Sequence, residues 1–288
     1  MTVDRWRALG FGAAVHILRF GVIMGALAFA PLLGISGWYL GLVANTACVL
    51  FAIVLVTARG LWRVSGLFSM HRGRTAALFL VPLILEVLLW AVPSGLVERP
   101  PGFGLWALTL LLVGVNEELI SRVVVLERMR RSFGPTSAVA LTGVLFGLQH
   151  LSAFATTGRE VDDVLLNVLV SACYGIALAA FQYRFRWVLP LVLIHAAADF
   201  TTILSANPLS DPVIAITCLA FLASAAMILR PLRHRPAPFP SRPHRSSLRG
   251  ALTSDRRLAV RSPILSRAAS NGRTSVGRGF GFSSPRSG

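Results

Sequence analysis

Four side chains that lipid resists, Asn116, Glu117, Glu118 and Arg122, stand in the middle of the apolar run from Gly104 to Leu126. Each ionised group near a bilayer centre costs roughly 2.5–3.5 kcal/mol, so the three charges together would cost about 8 kcal/mol unpaired. Two later apolar runs carry polar groups of their own, His150 in one and His195 with Asp199 in the other. A fold that gathers them relieves the cost, and a carboxylate beside two imidazoles can deprotonate a water molecule.

Spacing divides the labour. Glu118 and Arg122 are four apart with the acid first, the favourable order for an ion pair on a helix. Glu117, about 100° around the helix from Glu118, is left free as the working base. An unpaired carboxylate in an apolar cavity is a stronger base than one in water. Asp199, one turn beyond His195, is placed to fix the imidazole tautomer, and Phe146, one turn before His150, to wall the pocket. Glu117, His150 and His195 are also a possible ligand set for zinc, while a metal-free, glutamate-based mechanism needs only the same groups around a water.

The surrounding elements must bring these residues to one depth. With 55% hydrophobic residues, 14% charged residues and a mean hydropathy of +0.68, the chain has too much apolar surface for a soluble core. It reads as an all-α, polytopic transmembrane helical bundle. About eight transmembrane helices fall near 12–33, 38–58, 76–97, 104–126, 136–152, 164–183, 187–205 and 212–229. His16 and Arg19 interrupt the first, which leaves two possible starts, before His16 or after Arg19; His16 itself reads as interfacial. Counting about 1.5 Å of rise per residue, His150 lies about 21 Å up its helix from the basic loop, His195 about 12 Å and Glu117 about 14–17 Å. The three meet within several ångströms of one level. Glu86, in the third helix, has no motif around it and suggests a partner for Arg19 or a pore-side acid.

Charge sets the orientation. Arg5 and Arg7 precede the first helix, Arg59, Arg63, Arg72 and Arg74 follow the second, Arg128, Arg130 and Arg131 the fourth, and Arg184 and Arg186 the sixth. Every second connection is basic, which places both termini in the cytoplasm of a multi-pass protein, expected in the plasma membrane of a prokaryote. The net charge of +16 is concentrated in the tail: 13 of the 28 basic residues lie in 230–288, against the single acid Asp255. Nucleic-acid binding by the main domain is therefore unsupported. Two domains follow: a bundle over 1–232 with its reactive core at about 104–205, and an Arg-rich tail over 233–288, expected to be disordered and cytoplasmic and able to touch anionic lipid. The chain contains no lysine, which excludes lysine chemistry, and Cys48, Cys173 and Cys218 are scattered without metal or disulfide spacing.

The series Glu117-Glu118-x-x-x-Arg122, Phe146-x-x-x-His150 and His195-x-x-x-Asp199, on three successive polar-bearing helices, resembles the CPBP family of intramembrane endopeptidases. This family includes CAAX prenyl proteases and bacteriocin-processing enzymes and is also called the Abi family; its motifs read EExxxR, FxxxH and HxxxN. The likeness covers roughly 105–204. It implies hydrolysis of a peptide bond in a hydrophobic or lipidated peptide within the membrane. Glu117 and His150 would activate water, with Glu118 and Arg122 as their brace, and His195 and residue 199 would stabilise the oxyanion. Position 199 departs from Asn, and an ionised Asp cannot donate a hydrogen bond. No H-E-x-x-H occurs, and Gly34-Ile35-Ser36-Gly37, which matches a rhomboid G-x-S-G, reads more simply as a turn. A non-catalytic immunity or scaffold protein of the same fold and a proton-coupled transporter are the competing classes. Oligomeric state is not encoded in these features.

Overall fold

In a computed structural model, residues 2–233 are described, with side chains to Arg230; the tail expected to be disordered lies outside the described residues. The fold is all-helical, with no strand among the described residues beyond one isolated antiparallel bridge between Leu96 and Ser205. All eight expected segments are helical. They are α1 Val3–Phe29, α2 Tyr39–Ala58, α3 Val81–Ala91, α4 Phe103–Glu118, α5 Pro135–Leu148, α6 Val161–Phe185, α7 Val188–Leu204 and α8 Asp211–Arg233. On length and composition, six helical stretches among the described residues can cross a membrane. The other two are α4, too polar at its centre, and α7, which is apolar but only 17 residues long.

The first helix does not wait for Arg19. It runs unbroken from Val3, and both His16 and Arg19 are buried, so His16 is not interfacial. The two residues that seemed to interrupt the helix face the protein interior. The outward side of the same helix shows Ile17 and Leu18 to lipid, as α6 shows Leu169 and α8 shows Ile216 and Leu219.

α4 is the central mast. It continues without a break through a π-helical stretch, Leu119–Val125, into a last α-turn, Leu126–Arg130. Every residue from Asn116 to Leu126 is buried. α2 and α7 pack on the mast, α3 packs on α7, α1 packs on α2, and α6 is held between α5 and α8. Two glycines let backbones approach where the polar residues must meet. A Cβ at Gly114 would stand 2.7 Å from the Val192 carbonyl oxygen, and one at Gly147 would stand 2.5 Å from that of Val168. The first closes α4 onto α7 near His195, and the second closes α5 onto α6 beside Phe146 and His150.

Candidate active site

Glu117 and Glu118 are adjacent on the mast, and rotation about its axis sends them to different partners. Glu118 is fully buried and lies 3.2 Å from Arg122 Nε through Oε2, the expected i to i+4 ion pair. Its Oε1 accepts a hydrogen bond from His195 Nδ1 at 2.9 Å. A carboxylate held by arginine can only accept, so the proton sits on Nδ1 and the tautomer is set from α4. Asp199 does not perform that task, contrary to the sequence expectation. Its Oδ2 lies 3.6 Å from the other ring nitrogen, Nε2, at ion-pair rather than hydrogen-bond range.

Glu117 is not free either. Arg19 Nη2 donates to its Oε1 at 2.7 Å, while Arg19 Nε donates to Asn116 Oδ1 at 2.8 Å. Glu86 is therefore not the partner of Arg19. Asn116 Nδ2 in turn donates to the Leu112 carbonyl at 2.7 Å and to Asn45 Oδ1 at 3.3 Å, tying α1 and α2 to the mast. Arg19, bridging Asn116 and Glu117, holds the Glu117 carboxylate by one oxygen, and the other, Oε2, lies 3.7 Å from His195 Nε2. His150 also interacts with Glu117 through space. Its Nδ1 lies 3.0 Å from the Phe146 carbonyl oxygen, which can only accept. That nitrogen therefore carries the proton, and Nε2 keeps its lone pair.

Phe146 is more than a wall. Its ring meets His150 and His195 edge-on at centroid distances of 5.3 and 5.8 Å, and the Arg122 guanidinium lies 4.3 Å over its face. Tyr174 of α6 closes His195 from another side at 5.6 Å. Behind His195 the polar cluster extends to Glu86 of α3 and to the Tyr174 hydroxyl, both buried; Glu86 Oε2 and the hydroxyl form no hydrogen bond. Glu117, Glu118, Arg122, His195 and Asp199 thus form one chain of close polar contacts, and His150 joins it through the Phe146 ring that also meets His195 and Arg122. Residues 99–201, from the end of the α3–α4 connection into α7, match the model of the type II CAAX prenyl endopeptidase Rce1-like family. Through this segment, about a third of the chain, the protein is similar to the CAAX proteases. No curated protein matches the chain significantly.

That likeness, together with six helical stretches long and apolar enough to cross a membrane among the described residues, points to an integral membrane protein. The likeness covers α4 through α7 and leaves Arg19, Asn45 and Glu86 outside. Sequence reasoning saw Arg19 as an interruption of α1 and as a partner for Glu86, not for Glu117. Its isolation in an apolar helix was the signal that it had a buried acidic partner. Among the described residues, no three His, Cys, Asp or Glu side chains are arranged to hold a metal ion. Glu117, His150 and His195, the set expected for zinc, are not brought together as such a group: Glu117 Oε1 is engaged by Arg19, and Oε2 lies 3.7 Å from His195 Nε2.

Proposed function

We propose that this protein is an intramembrane endopeptidase that hydrolyses a peptide bond in a membrane-associated, hydrophobic or lipidated peptide. The reading is supported most by one observation: Glu117 is fixed by Arg19 through one oxygen and turns the other toward His195. A water held between Glu117 Oε2 and His150 Nε2 gives its proton to Glu117 as its oxygen attacks the scissile carbonyl. The oxyanion forms on the His195 side. Three carboxylates, Glu117, Glu118 and Asp199, stand against two arginines, Arg19 and Arg122, around this ring. A doubly protonated imidazole balances the remaining charge, and its Nε2–H donates to the oxyanion. When the C–N bond breaks, Glu117 returns the proton to the leaving amine. Asp199 serves the charge of His195, which explains how a carboxylate can replace the family's amide.

The experiment is a comparison of peptides in membranes containing wild type, Glu117→Gln or His150→Ala. Peptides trimmed by wild type should persist uncut in both variants while the proteins remain inserted and folded. Unchanged trimming in both would overturn the assignment, and a flux that follows a proton gradient would point to transport instead.

A further inference from the structure

A cavity opens beside the polar cluster. It measures about 440 Å³, within the range of small-ligand sites, and lies between α1 and the corner where α5 gives way to short helical turns, Gln149–Ser152 and Ala153–Thr156. Phe20, Leu148, Leu151 and Phe154 give it an apolar lining, and its mouth reaches the lipid-facing side, where Leu148 and Phe154 are each 46% exposed. Three polar side chains interrupt the lining: Ser152, His16 of α1, 8% exposed, and Gln149, the residue before His150. Neither ring nitrogen of His16 and neither terminal atom of the Gln149 amide has a hydrogen-bond partner of normal geometry, although all four atoms are buried. His16 and Gln149 are neighbours. A bond between them would still leave one ring nitrogen and one amide atom unsatisfied, and each buried orphan is costly.

We infer that this cavity is a substrate-recognition site that takes one apolar side chain of the peptide together with the peptide group beside it, read by His16 and Gln149. The inference rests on the proposed peptidase reading and adds where and how the substrate is gripped. A lipid acyl chain would fill the apolar volume but offers neither a donor nor an acceptor to the two orphans. A peptide group offers both, an N–H and a C=O, in the pairing that a glutamine amide complements. The position suits cleavage, because His16 stands one helical turn before Arg19, the anchor of Glu117, on the buried face of α1. Half of the grip comes from α1, which lies outside the matched segment 99–201. The chain therefore chooses its substrates with a helix that its family resemblance does not describe.

The test uses the full chain in phosphatidylcholine vesicles with an apolar peptide carrying one diazirine-bearing leucine. The same peptide N-methylated at that residue and a diazirine-bearing phosphatidylcholine serve as controls. The leucine peptide should cross-link to Phe20, Leu148 or Phe154. N-methylation, His16→Leu or Gln149→Leu should each lower that labelling about tenfold, the scale of one buried hydrogen-bonding group left unsatisfied. Labelling by the lipid alone, peptide labels elsewhere, or labelling indifferent to all three changes would overturn the inference; the N-methyl arm needs no variant to fold. Cleavage of the same peptide is read separately. A peptide that labels the cavity without being cut sinks the peptidase reading and spares the site, while one cut without labelling does the reverse.

Discussion

Arg19 is the residue on which the proposed base depends. Replacing it with Met removes the partner of Glu117 and leaves a buried carboxylate uncompensated, which should cost about 3–5 kcal/mol and abolish cleavage. Thermal unfolding in detergent and a peptide-cleavage assay check both outcomes; a stable, active Arg19→Met protein would show that Glu117 needs no anchor. Asp199→Asn should hold or raise turnover, because an amide can donate to the oxyanion that the carboxylate only supports through His195. Complete loss would remove residue 199 from the oxyanion side. Cleavage should also survive dialysis against a zinc chelator; loss restored by added zinc would replace the side-chain mechanism with a metal-based one. At this scale the sequence was legible wherever ionisable groups sat in apolar runs, as for Glu117, His150 and His195. The partners were harder to read. Local spacing suggested Asp199 for His195 and freedom for Glu117, whereas helix rotation delivered Glu118 and Arg19 from about 80 and 100 positions away.

Helices set the distances among these groups. The close approach at Gly147 brings α5 against α6, and a side chain there would overlap the Val168 carbonyl, which is backbone and has little room to yield. Gly147→Val should therefore lower stability by about 1–3 kcal/mol or more and reduce activity with it. An unchanged thermal midpoint would mean that the two helices separate at little cost. The eight helical segments were legible from apolar length alone, and the mast from its polar centre. Its π-helical stretch, Leu119–Val125, was not, because a widened turn leaves no mark in composition or periodicity. π-turns concentrate at functional sites, and this one carries Arg122 beneath Phe146.

For the whole molecule, the alternation of basic connections predicts one orientation, with both termini in the cytoplasm. Reporter fusions at the N-terminus and after Arg233 should both report the cytoplasm; opposite signals would mean that one of the eight segments does not cross. The deep burial of the mast also bears on how the protein is made. From Asn116 to Leu126 no side chain reaches lipid, and the ion pair of Glu118 with Arg122 finds its imidazole cover only in α7, synthesised more than sixty residues later. A nascent chain that has emerged only as far as α6 holds an uncovered charged segment, so the mast can settle in the bilayer only together with its late partner. Chains truncated before Val188 should therefore be degraded faster than the full chain in a pulse-chase, and equal lifetimes would show that the mast settles without α7.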